Sequence, residues 1–262
     1  DAAQYYQESL KIVQKIGDHY AELRLYGSMG TNYLKQASEK DYLFDGYKQF
    51  DDFKNSLNCY NNMLEIANRT QDVQGQLLAL NQIGNCYCIQ GNYNKAIEFY
   101  EQGKNLTETN NLRFEKAFIL HGLGNVYWQK ECCSEAIKLE RESLEIFQEF
   151  PNRESCRELC LQIIGRCFFE LGDLVEAENY LREAVKVTES KLEGLGKLDA
   201  NKISMYNRSA LLYPLLQEVL VAQNKVEVAL ELAERSRARA IIEALVTRLS
   251  PNQNSQKNFT YP

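Results

Sequence analysis

The chain has 262 residues and a formal net charge of −6 at neutral pH. Its hydrophobic content of 44% and charged content of 25% are ordinary for a soluble protein with a substantial core. The negative charge argues against general nucleic-acid binding, and no apolar run approaches the roughly 20 residues that cross a bilayer. We therefore expect a cytoplasmic protein whose partners are neither nucleic acids nor membranes.

Residues 1–16 predict one amphipathic helix. Ala2, Tyr6 and Ser9 have the spacing of a single helix face. The same spacing marks the second helix of each hairpin that follows in the chain. We therefore interpret this segment as the second helix of a truncated repeat, in a chain that starts in the middle of a repeat.

Residues 17–72 predict the first complete hairpin of two helices. Its first helix contains Gly30, and its second helix contains Ser56. The next equivalent glycine is Gly84, and the interval from Gly30 to Gly84 is clearly longer than the interval from Gly84 to Gly124. This longer interval indicates an insertion at 40–52.

A short pattern then recurs about every 40 residues, and a fixed period of this size predicts stacked helical hairpins. Each copy has an apolar residue, a glycine and, three positions after the glycine, an aromatic residue. The copies are Ile83-Gly84-Asn85-Cys86-Tyr87, Leu123-Gly124-Asn125-Val126-Tyr127 and Ile164-Gly165-Arg166-Cys167-Phe168. An alanine follows each glycine at one constant distance, within a second apolar stripe (Ala96, Ala136, Ala177). The repeats are predicted at 73–112, 113–152 and 153–201.

The glycines of this pattern indicate close helix packing. Glycine inside a helix costs about 1 kcal/mol relative to alanine, so its return at one position needs a structural reason. Glycine and aromatic residue, three apart, lie on one side of the first helix. Gly91-Asn92 and Gly172-Asp173 predict the turns that lead into two of the second helices.

The last hairpin is predicted at 202–249. Gln217 takes the place of the glycine after another long interval, whereas Ala229 keeps the second-helix pattern. The longer interval indicates an extended loop near 192–202. Residues 250–262 are rich in Asn, Gln and Ser and lack periodicity, so they are interpreted as a linker or tail.

The recurring pattern resembles tetratricopeptide (TPR) repeats, in particular the longer repeats of Pins/LGN-type scaffolds and kinesin light chains. The resemblance implies an all-α fold, a right-handed TPR superhelix or α-solenoid of about five helical hairpins plus the N-terminal helix. It also implies a concave groove, lined by the first helices of the hairpins, that binds a protein or peptide.

The segment Ala233–Ala240 (Ala-Glu-Arg-Ser-Arg-Ala-Arg-Ala) resembles the last repeat of bacterial TPR–CHAT proteins. In that family the helix leads towards a caspase-like peptidase domain. The resemblance implies a sensor or regulatory part of a larger protein with a downstream CHAT peptidase-like domain. Arg235, Arg237 and Arg239 are then candidates for docking to that domain. The alternative is that these arginines are only solvent-exposed residues of a terminal helix, where positive charge near the C-terminal end is favourable.

The face of the first helix that lines the groove in TPR proteins supplies ten candidate binding residues. They are Lys35, Asn81, Asn85, His121, Asn125, Trp128, Gln129, Gln162, Arg166 and Phe169. Carboxamides can both donate to and accept from a peptide backbone, and Trp128 offers apolar anchor area. Asn85 and Asn125 match the backbone-gripping asparagine of long-repeat scaffolds, whereas Thr31 and Arg166 depart from it. The alternative is a solvated polar surface without a ligand.

No arrangement of residues in the sequence predicts catalysis, a cofactor or a metal site. The eight cysteines include no CxxC pair, and there are only two histidines, which disfavours zinc. Buried cysteines that act as small apolar residues are favoured over disulfides, with Cys132-Cys133 as the expected exposed pair. His121 has no carboxylate three or four positions away, and no P-loop is present. We therefore expect that the chain is not an enzyme.

These observations favour a non-catalytic module that binds a protein or peptide. A stand-alone adaptor or assembly scaffold of the Pins or kinesin-light-chain type is the alternative. A peptide-pheromone or transcription-regulatory TPR protein is a third possibility, and it requires a DNA-binding or effector segment.

Overall fold

The computed structural model describes residues 2–39, 46–194 and 212–249. Within these ranges every regular element is an α-helix, and eleven helices follow one another along the chain. They are α1 (Ala2–Ile16), α2 (His19–Glu39), α3 (Gly46–Thr70), α4 (Val73–Ile89), α5 (Tyr93–Thr109), α6 (Arg113–Gln129), α7 (Cys133–Glu149), α8 (Glu154–Glu170), α9 (Leu174–Gly194), α10 (Leu212–Ala222) and α11 (Val226–Leu249). The predicted tail at 250–262 lies outside the described residues, as do residues 40–45 of the first predicted insertion and 195–202 of the second. Residues 46–52 of the first insertion form the start of α3.

The chain divides into two compact units, Asp1–Phe150 and Pro151–Pro262. In the first unit, α2 packs on α3, α4 on α5 and α6 on α7, and the second helices α3 and α5 also contact the first helices that follow them, α4 and α6. The first helices α2 and α4 contact each other, as do α4 and α6. The first unit is therefore a stack of three helical hairpins with α1 packed on α2.

The recurring glycines lie where the two helices of a hairpin touch. A Cβ atom on Gly84 would lie 2.9 Å from the ring of Tyr100 in the second helix. A Cβ atom on Gly30 would lie 2.6 Å from the ring of Tyr60. Both tyrosines are buried. The close packing predicted from the glycines is therefore confirmed, and in these two hairpins an aromatic ring fills the space that glycine leaves.

Where the turn between the two helices of a hairpin is described, it contains one residue in the left-handed region. Gly91 has φ +72° and Gly172 has φ +82°, at the two turns that the sequence predicted. Asn92 follows Gly91 and accepts a hydrogen bond from the backbone N–H of Lys95, which caps α5. The equivalent turn before α7 has Glu131 at φ +61°, a conformation that glycine adopts at lower cost.

The second unit contains the hairpin of α8 and α9, followed by α10 and α11. A Cβ atom on Gly165 would lie 2.7 Å from Leu181, which follows its glycine at the same sequence distance as Tyr100 follows Gly84. Lys225, in the turn before α11, places its Nζ atom 2.6 Å from a carboxylate oxygen of Glu178 on α9. Burial alone would raise the pKa of Glu178, but the hydrogen bonds from Lys225 and Arg182 lower it.

None of the described helices has both the length and the apolar character needed to span a bilayer.

Candidate interaction surface

A cleft of about 530 Å³ lies in the first unit, where α1, α2, α3 and α4 meet. Its lining consists of Tyr6, Leu23, Arg24, Gly27, Ser28, Thr31, Asn32, Lys35, Tyr60, Met63, Leu78 and Gln82. Most of these residues come from α2, the first helix of its hairpin, and α4 adds the last two. The cleft is thus built mainly from first helices.

The charged side chains of this lining, Arg24 and Lys35, are both cationic. Within this lining, the hydroxyls of Thr31 and Tyr60 lie 3.1 Å apart. Burial raises the pKa of Tyr60 to about 12, so this phenol stays neutral and can donate or accept a hydrogen bond. Leu78, on α4, is about half exposed. The cleft therefore combines positive charge, neutral hydroxyls and accessible apolar surface.

Of the ten predicted binding residues, Lys35 lines this cleft. The sequence argument missed Arg24 and Leu78, although the repeat could have identified them. Each lies six positions before the glycine of its first helix, Gly30 and Gly84 respectively. The predicted surface includes the residue three positions before each glycine. Arg24 and Leu78 lie about one helical turn before that residue, so the surface extends further towards the N-terminus of the first helix.

The helices α4 and α6, which carry six of the predicted residues, contact each other. The side-chain amide of Asn125 points to the Cys88 sulfur, with 3.9 Å between Nδ2 and Sγ. Asn85 and Asn125 are half-buried, and so is Trp128. Asn81 shares this partial burial, and Gln129 is exposed. These side chains keep accessible surface on adjacent first helices, which a binding role requires.

His121 on α6 is paired with a residue that the sequence argument did not find. Its Nδ1 atom lies 2.9 Å from Glu140 Oε2, and the Glu140 side chain is 0% exposed. The carboxylate occupies the position that Tyr60 and Tyr100 hold in the preceding hairpins, since a Cβ atom on Gly124 would lie 2.5 Å from Glu140 Oε1. Burial alone would lower the pKa of His121, but the charge and hydrogen bond of Glu140 raise it.

In the second unit, the predicted groove residues and the docking candidates have separate surroundings. Arg166 is exposed and lies 3.7 Å from Glu170 of the same helix. Gln162 and Phe169 are half-buried. Arg235 pairs with Glu189 of α9 at 2.9 Å, and Arg237 pairs with Glu234 at 2.8 Å. Arg239 belongs to α11, but its side chain lies outside the described residues.

Most cysteines serve as core residues, as expected. Cys59, Cys86 and Cys88 are buried, and burial raises the pKa of each thiol to about 11, which keeps the thiol protonated. The expectation for Cys132-Cys133 is wrong for its second member. Cys133 is buried because it begins α7 with its side chain in the core, whereas Cys132 keeps partial exposure.

Comparison with known proteins agrees with this architecture. Two family models described as "Tetratricopeptide repeat" match residues 77–110 and 115–190. A search of curated proteins found no match. Among solved structures, BtubC (BKLC) from P. vanneervenii has a TM-score of 0.65 at 17% identity, with 99% of this chain and 96% of that chain covered.

Two further structures are similar. A putative kinesin light chain from Podosopora anserina, with nearly identical TPR-like repeats, has a TM-score of 0.59 at 17% identity, covering 88% of this chain and 98% of that one. A STAND protein with a tetratricopeptide repeat sensor from Pyrococcus horikoshii has a TM-score of 0.66 at 18% identity. The match covers 95% of this chain and 35% of that larger protein. The predicted all-α, α-solenoid fold class is confirmed.

Proposed function

We propose, on the premise that this chain is a tetratricopeptide-repeat protein, that it binds an extended peptide segment through the exposed face of its first helices. Helical repeat stacks are interaction folds that present long surfaces to their partners. The role proposed is binding without catalysis, and the partner is a protein or peptide rather than a nucleic acid or a membrane.

The observation that carries this proposal is the cleft between α2 and α4. Arg24 and Lys35 suit a carboxylate, and Leu78 suits an apolar side chain next to it. The ligand that this chemistry favours is a peptide in which acidic and apolar residues alternate. Asn85, Asn125 and Trp128, further along the first helices, would contact the continuation of the same peptide.

A binding assay with labelled peptides tests the proposal. The probe is a fluorescent peptide of alternating Glu and Leu, and a peptide of alternating Lys and Leu is its control. We expect the acidic peptide to bind and Arg24→Glu with Lys35→Glu to weaken binding at least tenfold, about 1.4 kcal/mol. The matched control is Lys54→Glu with Lys138→Glu, which changes the net charge by the same amount, because both lysines are exposed and neither is part of the cleft lining.

Two results would contradict the proposal. Equal binding of the acidic and basic peptides would show non-specific apolar adsorption. Equal weakening by Lys54→Glu with Lys138→Glu would show that overall charge, not the cleft, attracts the peptide. The contribution of the neighbouring first helices is tested separately by replacing Asn85, Asn125 and Trp128 together with Ala. Retained affinity for a longer acidic peptide would reject their role.

The wider context of the module is a second part of the proposal. The resemblance of Ala233–Ala240 to TPR–CHAT proteins supports a sensor that controls a downstream peptidase-like domain in the cytoplasm. In that case Arg235 and Arg237 would contact the downstream peptidase-like domain. They would do so through the sides of their guanidinium groups that do not face Glu189 and Glu234. The alternative is an adaptor or assembly scaffold of the kinesin-light-chain type. The full-length gene separates the two, because the first requires a coding region for a peptidase-like domain after α11.

A further inference from the structure

The hydroxyl of Tyr100 differs in its surroundings from the hydroxyl of Tyr60. The two tyrosines take equivalent places on the second helices α5 and α3, each against the glycine of its first helix. The Tyr60 hydroxyl is hydrogen-bonded to Thr31, the residue after that glycine. The equivalent residue for Tyr100 is Asn85. Within the part of the chain that the structure describes, neither the Tyr100 hydroxyl nor the Asn85 side chain has a hydrogen-bond partner.

The Tyr100 ring is enclosed between two first helices, and the residue is 3% exposed. A Cβ atom on Gly84 of α4 would lie 2.9 Å from the ring. A Cβ atom on Gly122 of α6 would lie 2.9 Å from the hydroxyl oxygen itself. The phenol therefore reaches from α5 to the place where α4 and α6 meet, and its polar end lies beside α6.

Gly122 shows that the sequence makes room for this hydroxyl. The position two before the repeat glycine or its equivalent carries a side chain in the other first helices, namely Ser28, Gln82, Ile163 and Leu215. A glycine inside a helix costs about 1 kcal/mol relative to alanine. Gln82 lines the cleft between α2 and α4. Gly122 thus opens the equivalent place one repeat further along the first helices.

Helix packing alone does not explain the hydroxyl. A buried hydroxyl without a partner costs free energy, and phenylalanine would fill the same space without that cost. The equivalent residue of α9 is Leu181, which packs against Gly165, so an apolar side chain is accepted at this place of the repeat. The Tyr100 hydroxyl therefore points to a hydrogen-bond partner outside the chain.

The polar groups around this hydroxyl are uncharged. The Asn125 amide points to the Cys88 sulfur, and Cys88 belongs to the same core cluster as Tyr100. Burial raises the pKa of the Tyr100 hydroxyl and of the Cys88 thiol, so both stay protonated. The carboxamides of Asn85 and Asn125 can both donate and accept. This set suits a neutral amide group, whereas a charged group would lose its hydration without gaining a counter-charge.

We propose that the Tyr100 hydroxyl binds an amide group of the peptide ligand, either in its backbone or in an Asn or Gln side chain. This inference rests on the proposed function and adds a second contact point to it. Packed helices lie about 8–10 Å apart, a distance that an extended chain crosses in about three residues. The bound amide would therefore lie about three residues from the side chain that occupies the cleft.

The test compares wild type with Tyr100→Phe, which removes only the hydroxyl. The core probe is Glu-Leu-Glu-Leu, which spans about 13 Å, little more than the separation of two packed helices. Two longer probes carry four Gln or four Ala at both ends of the core, which covers either direction of the peptide. Tyr100→Phe should weaken binding of the Gln-flanked peptide about threefold to tenfold, as expected for one hydrogen bond, and leave the core peptide unaffected. Weakening confined to the Gln-flanked peptide assigns the contact to a side-chain amide, and equal weakening of both flanked peptides assigns it to the backbone.

Thermal unfolding separates this role from a structural one, with Tyr60→Phe as the matched control. Tyr60→Phe removes an internal hydrogen bond and should lower the Tm by about 2–4 °C. Tyr100→Phe removes a hydroxyl without an internal partner, so the Tm should stay within about 1 °C of wild type or rise.

Two outcomes would overturn the proposal. The first is unchanged affinity of Tyr100→Phe for both flanked peptides. The second is a fall in Tm equal to that of Tyr60→Phe, which would make the hydroxyl structural. Failure of the core peptide to bind wild type would instead overturn the proposed function. The Tyr100 contact is then judged by a peptide of Gln and Ala alone at millimolar concentration, which should shift the ¹³C resonance of the hydroxyl-bearing carbon of Tyr100, and an unshifted resonance would reject the contact.

Discussion

Replacing His121 with Asn should destabilise the first unit more than a typical surface substitution. The imidazole lies 2.9 Å from Glu140, whose side chain is 0% exposed, and forms an ion pair with it when protonated. Removing one partner of a buried ion pair costs about 3–5 kcal/mol, because the other charge stays in a poorly solvated place. The His121 side chain is itself 25% exposed, so water offsets part of this cost and the loss should lie at the lower end.

The destabilisation should depend on pH with a defined sign. The pKa of His121 is raised in the folded state, because the charge and hydrogen bond of the Glu140 carboxylate outweigh the effect of burial. The stability that the pair contributes is therefore fully present below the unfolded pKa of about 6.5 and is lost as the pH rises through the folded pKa. Urea denaturation at several pH values should show the largest difference between wild type and His121→Asn in acidic solution, and a smaller difference above neutral pH.

The matched control is an exposed ion pair in the same unit. Arg113 and Glu149 are hydrogen-bonded on the surface, and Arg113→Gln should leave the stability unchanged within error. The reasoning would be refuted if His121→Asn were neutral at acidic pH, or if its effect grew as the pH rose. A second check is Glu140→Gln, which should lower the pKa of His121 in an NMR titration, because burial then acts without the carboxylate.

Three smaller predictions test the packing of the repeats. Gly84→Ala should destabilise the chain by about 1–3 kcal/mol, because the added Cβ atom would lie 2.9 Å from the ring of Tyr100. Gly27→Ala is the contrasting variant, since the nearest atom to its Cβ would be 3.5 Å away, and it should stabilise the chain by up to about 1 kcal/mol. Glu131→Gly should stabilise by about 1 kcal/mol, since φ is +61°; an unchanged urea midpoint would contradict this. The Cys88 thiol, with its pKa raised to about 11, should resist iodoacetamide at about pH 8 in the folded protein and react after unfolding.

The hairpins could be predicted because their contacts repeat in the sequence. Gly84, Gly124 and Gly165 each have a partner at one fixed sequence distance, so one copy of the pattern explains the next. Glu140 shows where this reasoning stopped. A search for a carboxylate three or four positions from His121 fails, because Glu140 lies on a different helix. The two residues are 19 positions apart in the sequence, much more than one helical turn. The available signal was a charged residue at the position where Tyr60 and Tyr100 stand in the other repeats.

The cleft was harder to predict because it depends on several helices at once. Lys35 was found from its position after Gly30, which is a property of one helix. Arg24 and Leu78 lie one turn earlier on two different helices, and Tyr6 closes the cleft from α1. Their proximity follows from the contact of α2 with α4, which the sequence pattern of a single repeat does not contain.

The geometry of the hairpins separates stability from recognition, and this separation can be measured. Gly84 and Tyr100 fix the pairing of helices inside the hairpin, whereas Arg24 and Lys35 lie on the open side of α2. Arg24→Glu with Lys35→Glu should therefore weaken binding of the acidic peptide and leave the Tm within about 2 °C of wild type. Gly84→Ala should lower the Tm and leave peptide affinity unchanged at temperatures where the chain is folded. If either variant changed both quantities in parallel, the peptide would depend on the hairpin interior, and the open face of α2 would not be its binding surface.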